Sequence, residues 1–568
     1  MGPSGAGKST LLNILAGYRT KNAGGGVLVN GIPRDCRQFR KMSRYIMQED
    51  IHQTHVTVRE AMMLAAHLKL GYSFSPTQKQ EIINEILDVL RLDRSLDTIT
   101  SRLSGGEKKR LSIALELINN PPVLFLDEPT TGLDDVSCSQ CVSLLKRLST
   151  EDRTVVCSVH TPSAKTLAQF DVAYILAEGQ CVYQGATADL VPYLASLGIN
   201  CPTHYNPADF MIEVSSGEYG DHIERMVQAI DNGRCQRWNQ MKHPFILFEG
   251  ELEFGEIKQM PDYGTSQWNQ FLLLFSRMMI QAWRDISHIG TKISTITLIS
   301  LLIGGLFYQM GNDGSKTIFI FGYCYISVIA FVYVSMLPAL IWFPQEVELL
   351  KREYFNRWYH FNSYYSALVL SRLPIQIILT FVYIIITYTM TNQPMEWNRV
   401  AMFMVVSLLT VLVSECFGLI ISSQLNITNA MFLGPTLSVP LMLLAVYSLG
   451  TRSEDIPIHM RVAMYTSYFR FGLEGLVASV YGGDRPWLDC PDTEMICELR
   501  SPKALLRRVG MENINIWLDI LALCGNYLLF QLFCYASLKF RLYRNKNLGA
   551  IGVLGRYIKS HFNSMNAR

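Results

Sequence analysis

With 568 residues, 17% of them charged, a net charge of +2 and a mean hydropathy of +0.17, the chain is long enough for several domains and apolar for a soluble protein. The near-balanced charge gives no footing for nucleic acid or an acidic surface partner, and the 13 scattered cysteines form no paired CxxC…CxxC metal pattern, which argues against zinc. Two halves differ: residues 1–260 are mixed and charged, whereas residues 290–540 carry long apolar runs.

The first motif begins at the second residue. Gly2-Pro3-Ser4-Gly5-Ala6-Gly7-Lys8-Ser9 fits G-x-x-x-x-G-K-[ST], a loop whose backbone N–H groups wrap around nucleotide phosphates. Thr10 continues into a helix expected over Lys8–Ala16, with Gly17 as its stop. Such a loop normally follows a buried strand. Only Met1 precedes it, so the expectation is a nucleotide-binding domain lacking its first strands, from a truncated N-terminus or an isoform that starts inside the domain. No secretory signal is visible.

Further along, Tyr45-Ile46-Met47 leads to Gln48. Leu103-Ser104-Gly105-Gly106-Glu107 opens a helix that runs through Lys108-Lys109-Arg110 to about Ile118, and Ser104, Gly105 and Gly106 offer backbone N–H groups at its start. Val123-Leu124-Phe125-Leu126 is a continuous apolar run, the pattern of a buried parallel strand, and it ends in Asp127-Glu128. Asp134 follows, then an apolar strand over residues 154–159, then His160. Cys36, Cys138, Cys141, Cys157 and Cys181 fall in this half and are expected as reduced cytosolic thiols.

This order resembles the nucleotide-binding domain of ABC transporters. The resemblance implies an α/β P-loop ATPase using ATP and Mg²⁺. Lys8 would hold the β/γ-phosphates, while Ser9, Gln48 and Asp127 would serve the metal. Glu128 would orient or deprotonate the attacking water, and His160 matches the switch histidine near the γ-phosphate. Ser104, Gly105 and Gly106 would cap the ATP bound by a second subunit.

A bilayer span needs about 20 apolar residues. Spans are expected near 292–310, 318–341, 364–391, 400–423, 428–449 and 514–538, an all-α membrane domain of six helices. Arg277, Arg284, Lys351, Arg352, Arg357, Lys539, Arg541, Arg544 and Lys546 flank one side, so by the positive-inside rule both chain ends are expected in the cytosol. Residues 266–286, with Trp268, Phe271, Phe275 and Trp283, read as an amphipathic interfacial helix after a linker over 241–265. Residues 344–360 read as a cytoplasmic segment that is either a coupling helix against the motor or a solvated loop helix.

Residues 450–513 are expected as an external loop, where Cys490 and Cys497 would meet an oxidising space and form an intraloop disulfide or an intersubunit bridge. The sequon Asn426-Ile427-Thr428 lies in a tight turn expected to face the cytosol. Two ionisable residues fall inside spans, Arg372 and Glu415, at matching depths of about 13 Å. They are expected to pair toward the bundle interior, with a packing role favoured over a substrate role.

Motor first, six spans second and a large loop before the last span is the order of the G subfamily of ABC transporters. Asn206-Pro207-Ala208-Asp209-Phe210, Ser216-Gly217-Glu218-Tyr219-Gly220 and Arg470-Phe471-Gly472-Leu473-Glu474-Gly475 resemble the sterol- and lipid-exporting half-transporters related to the White protein. The implied domains are 1–240 for the motor, 241–290 for linker and connecting helix, 291–546 for the membrane domain and 547–568 for a cytoplasmic tail. A half-transporter implies a homodimer or a heterodimer, in the plasma membrane or an internal one. Span five carries Leu444-Ala445-Val446-Tyr447-Ser448 where sterol exporters have a Phe-rich stretch, and Tyr333 and Tyr447 are the cavity candidates. Two other readings stay open: a non-transporting subunit that damps a full-length partner, and a transporter of pigment precursors.

Overall fold

The computed structural model describes the chain except for residues 20–22, 152, 236–237, 239–261, 448–455, 484, 491–499, 512–513 and 548–568. Most of the linker expected over 241–265, Cys497 and all but the first residue of the 547–568 tail lie outside the described residues. Two compact units emerge: one gathers Met1–Ser276 and Leu349–Tyr364, the other Arg277–Glu348 and Tyr365–Arg544.

The first unit opens with α1 (Lys8–Leu15), one residue shorter than expected, and Gly17 follows at φ 73°. A small hairpin, β1 (Leu28–Val29) and β2 (Ile32–Pro33), turns on Asn30 and Gly31. Both sit at positive φ, 49° and 78°, as a type I′ turn requires. Next come α2 (Cys36–Met42), β3 (Ser43–Ile46), α3 (Val58–Leu70), α4 (Pro76–Val89), α5 (Gly105–Leu117), β4 (Val123–Leu126), α6 (Asp135–Ser149) and β5 (Thr154–Cys157). Strands β3, β4 and β5 form a parallel sheet in that order, with Arg44 opposite Leu124 and Leu124 opposite Val155. The apolar run of β4 is explained by burial on both faces: Leu124 and Leu126 on one are wholly inaccessible, and Phe125 on the other is 5% exposed.

After α7 (Ala164–Leu167), the strands β6 (Val172–Ala177) and β7 (Gln180–Ala186) pair antiparallel. Helices α8 (Leu190–Ser196), α9 (Pro207–Ser215) and α10 (Ile223–Ile230) share a core with this hairpin through Ile175, Val182, Tyr193, Phe210 and Met226. Met1 lies beside β6: the Leu176 N–H donates to its carbonyl at 3.0 Å, and its ammonium donates to the Tyr174 carbonyl at 2.7 Å.

Helix α11 (Gln267–Arg284) is the expected amphipathic helix. Six helices are long and apolar enough to cross a membrane: α12 (Ile286–Leu306), α13 (Thr317–Phe355), α14 (Phe361–Met390), α15 (Trp397–Gln424), α16 (Ile427–Val446) and the stretch to Leu542 of the last helix. Between α16 and that last helix lie α17 (Ile458–Thr466), α18 (Tyr468–Tyr481) and α19 (Pro502–Arg508); the last is α20 (Ile516–Asn547).

Two expected segments take a definite form here. Residues 344–355 continue α13, which runs unbroken through Pro344 to Phe355, and its last turns from Leu349 belong to the first unit with the motor. The described part of 450–513 is likewise largely helical. Almost every residue of α18 is buried, and glycines let it approach α15 closely: a Cβ on Gly472 would lie 2.9 Å from Thr410 Oγ1, and one on Gly475 would lie 2.9 Å from Val406 Cγ1.

Candidate functional site

The P-loop residues Gly2, Pro3, Ser4, Gly5, Ala6 and Gly7 wind ahead of α1 with Gly2, Gly5 and Gly7 at φ 143°, 81° and 98°, conformations that favour glycine. Lys8, the first residue of α1, turns back so that Nζ donates to the carbonyls of Gly2 (2.8 Å) and Pro3 (3.0 Å). Burial lowers the pKa of this ammonium, while Glu128 and Asp127 raise it. Ser9 and Thr10 follow on α1.

Asp127 stands at the end of β4 and is 6% exposed. Its carboxylate is fully engaged: Oδ1 accepts from Ser9 Oγ at 3.0 Å and Ser158 Oγ at 2.6 Å, and Oδ2 accepts from the Tyr45 hydroxyl at 3.3 Å. Burial and the neighbouring Asp127 push the Tyr45 phenol far above its ordinary range, so it stays a donor.

Glu128 occupies the left-handed region at φ 47°, and Ser158 Oγ accepts its backbone N–H at 2.8 Å. Its Oε2 accepts from Gln48 Nε2 at 2.8 Å and from Thr131 Oγ1 at 3.0 Å. His160 Nε2 lies 2.9 Å from Ser4 Oγ. Thus Lys8, Ser9, Asp127, Glu128, Gln48 and His160, drawn from four separated stretches of sequence, converge on one loop. Ser158 and Tyr45 complete it and have no motif of their own; their only sequence signal is a hydroxyl next to a strand end.

The donor set suits a hard divalent cation. Ser9 hydroxyl, Asp127 carboxylate and Gln48 amide could offer oxygen ligands, and among the described residues there is no cluster of three or more His, Cys, Asp or Glu that could hold a metal. A site with so few protein charges leaves positions for water and substrate phosphates, as Mg²⁺ prefers.

Ser104, Gly105 and Gly106 stand apart from this centre, at the start of α5. Ser104 Oγ accepts from Glu107 N at 3.3 Å, and Glu107 Oε2 accepts from Ser104 N at 2.9 Å, a reciprocal capping box. The bonds from Ser95 and Ser104 hold the Glu107 carboxyl below its usual range.

A second constellation in the same unit joins α5 to Leu349–Tyr364. Glu116 Oε1 accepts from Trp358 Nε1 at 3.0 Å, and its Oε2 pairs with Lys69 Nζ at 2.7 Å and faces Arg44 Nε at 3.9 Å. Gln53 Nε2 donates to Glu353 Oε1 at 2.7 Å, Arg352 Nη1 donates to the Ile51 carbonyl at 2.7 Å, and Asn356 brackets Tyr45 with two bonds of 3.0 Å. Neither Glu116 nor Trp358 stood out in the sequence.

In the second unit, Tyr333 donates to or accepts from Ser438 Oγ at 3.0 Å, linking α13 to α16. Tyr447 follows the end of α16 and is 44% exposed, nine residues or about 13 Å along the helix from Ser438, so the two tyrosines are not brought together. The expected Arg372–Glu415 pair is corrected: among the described residues the two form no direct ion pair. The Arg372 guanidinium lies 3.5 Å from the centre of the Trp342 ring, and Lys292 of α12 is within electrostatic reach of both Arg372 and Glu415. A flat aromatic face is one neighbour of the guanidinium. Cys490 is disulfide-bonded, while Cys497 lies outside the described residues.

Comparison with known proteins agrees with this geometry. Residues 1–131 match the family described as ABC transporter, and residues 269–481 match the membrane family described as ABC-2 type transporter. The chain is 27% identical to Protein white of Drosophila melanogaster over 96% of its own length and 81% of that protein. It is 29% identical to ABC transporter G family member 7 of Arabidopsis thaliana, covering 85% and 69%. It is 27% identical to the broad substrate specificity ATP-binding cassette transporter ABCG2 of Rattus norvegicus, covering 95% and 88%. The chain joins an ABC transporter ATPase domain to an ABC-2 type membrane domain, the make-up of a multi-pass protein that couples ATP hydrolysis to transmembrane transport, and over most of its length it is similar to White-type and other G-subfamily ABC transporters.

Proposed function

We propose that the protein is a half-transporter that dimerises and uses ATP to export sterols or other lipids. The observation that carries the motor part is the convergence of Lys8, Ser9, Gln48, Asp127, Glu128 and His160 on the P-loop mouth. ATP binding would draw Lys8 off the carbonyls of Gly2 and Pro3 onto the β/γ-phosphates. Ser9, Asp127 and Gln48 would hold Mg²⁺, which when bound neutralises charge on the phosphate oxygens. Gln48 would then leave Glu128, freeing that carboxylate to orient and deprotonate water, and His160 would move from Ser4 toward the γ-phosphate.

Dimerisation follows from the place of Ser104–Gly106 at the start of α5, apart from Lys8, where they would cap the partner's nucleotide. The partner is a second copy or another half-transporter. The orientation, with the motor and both termini in the cytosol of the plasma or an internal membrane, rests on the basic flanks. The lipid assignment rests on the segments Asn206–Phe210, Ser216–Gly220 and Arg470–Gly475 and on Tyr333 and Tyr447 as candidate cavity residues. Cys490 and Cys497 would form the external disulfide.

The test is ATP hydrolysis by the chain in lipid nanodiscs beside Glu128→Gln. Hydrolysis that sterol stimulates and that falls by about 10²–10⁴ in the variant, the range for a lost general base, supports the reading. No hydrolysis in a folded dimer, with reduced transport by a co-expressed partner, would favour a damping subunit. Stimulation by pigment precursors instead would favour that substrate class.

A further inference from the structure

Lys109 sits in the run Glu107-Lys108-Lys109-Arg110, where solvated side chains are the ordinary expectation. Yet Lys109 is only 1% exposed. Its ammonium has three protons. It meets three acceptors on one short stretch: the Gln48 carbonyl at 3.0 Å, Asp50 Oδ2 at 3.1 Å and the Met47 carbonyl at 3.5 Å. One turn further along α5, Ser112 Oγ donates to Asp50 Oδ1 at 2.8 Å and lies 3.2 Å from His52 Nε2, which is 2.9 Å from the Lys108 carbonyl. The α5 helix therefore grips residues 47–52 along a polar seam, with the lysine closest to Gln48.

The side chain of Gln48 continues the line by donating to Glu128 Oε2 at 2.8 Å. A buried cation thus fixes the backbone of the residue whose amide faces the catalytic carboxylate. We infer that Lys109 is a positioning residue that presents the Gln48 amide to the metal of its own nucleotide site, from the same helix whose first residues would cap the partner's nucleotide. This inference rests on the reading of Gln48 as a metal ligand.

Equilibrium binding of ATP to the full chain in nanodiscs tests it, with Glu128→Gln present throughout to stop turnover, once with Mg²⁺ and once with EDTA. Gln48→Ala and Lys109→Ala should each cut the Mg²⁺-dependent gain in ATP affinity by about tenfold, as expected for groups that hold or orient a metal ligand. Affinity in EDTA should stay unchanged, the double variant should lose no more than either single one, and Lys109→Arg should restore most of the gain. If Gln48→Ala loses the gain and Lys109→Ala keeps it, the role of Lys109 is overturned while that of Gln48 stands. If Gln48→Ala keeps it, both fall. An equal loss with and without Mg²⁺ in Lys109→Ala marks a merely structural lysine and overturns the inference too. Should Lys109→Ala not fold, Lys109→Gln is read against the same outcomes.

Discussion

Ser158 governs both carboxylates at once. Its hydroxyl donates to Asp127 at 2.6 Å and accepts the Glu128 N–H at 2.8 Å, which holds Glu128 in a left-handed conformation that a glutamate seldom adopts. Ser158→Ala should lower kcat by about 10–100-fold, the usual cost of losing a group behind a metal ligand, with ATP affinity in EDTA unchanged. Steady-state hydrolysis and equilibrium binding check this pair of outcomes. A different residue sets the acid response. Burial, then the charge of Arg352, pushes the His52 pKa down to about 3. The unfolded chain, with its histidine near 6.5, therefore binds the extra proton first, so stability falls as pH drops from 6.5 toward 3. Each pH unit in that window costs up to about 1.4 kcal/mol. Replacing His52 with Gln should flatten this part of the pH profile of thermal unfolding, and an unchanged slope would contradict it.

At the scale of elements, α5 stands out because it touches three different things. Its first turn carries Ser104–Gly106, its middle grips Gln48 through Lys109, and Glu116 near its end meets Trp358. From Ser104 to Glu116 a helix rises about 18 Å, so one rigid element of the first unit joins the Ser104–Gly106 turn to the segment that follows α13. Trp358→Phe removes the single N–H donated to Glu116 Oε1 and leaves that buried oxygen unpaired at a cost of about 1–3 kcal/mol. Basal ATP hydrolysis should persist, while its stimulation by a transported substrate should fall several-fold or vanish; equal stimulation in variant and wild type would show that α5 does not couple. The sequence presented this segment as charged and aromatic, a coupling helix or a solvated loop helix. Glu346, Glu348, Lys351, Arg352 and Glu353 interrupt the apolar run after Pro344, which argues for a helix end there. In the folded chain Arg352 and Glu353 are buried and bonded, so their charges carry no solvent signal, and α13 continues to Phe355. The helix α18 was hidden for the same reason. Arg470 and Glu474 lower its hydropathy, yet they pair at 2.5 Å inside the core.

For the whole molecule, the strongly legible parts were those whose chemistry dictates residue type and spacing: the P-loop glycines, Asp127-Glu128 at a strand end, and six apolar stretches. Residues such as Lys109, Glu116 and Ser158 depend on neighbours distant in sequence, and no periodicity announces them. Orientation in the bilayer follows from charge at one end of the bundle. The two residues between α15 and α16, Leu425 and Asn426, sit at the end where Arg541 of α20 bonds to the Ser423 carbonyl and to Glu348 Oε1 (3.0 Å for the latter). Gln424 joins the same cluster through the Ser537 carbonyl at 2.8 Å. Basic residues Lys539 and Arg541 lie at this end, and the positive-inside rule predicts it to face the cytosol. Asn426 opens the sequon Asn426-Ile427-Thr428 and is exposed, so access to the chain itself does not prevent glycan addition there. On the cytosolic side predicted from the basic flanks, Asn426 would not meet the glycosylating machinery, which acts on the lumenal face. The protein expressed in eukaryotic cells should therefore show no change in gel mobility on glycosidase treatment, and Asn426→Gln should migrate with the wild type. A sequon introduced near Trp487, which is 69% exposed in the region between the last two spans, should acquire a glycan. A shift at Asn426 would invert the bundle, and would put the motor on a side of the membrane where no ATP reaches it.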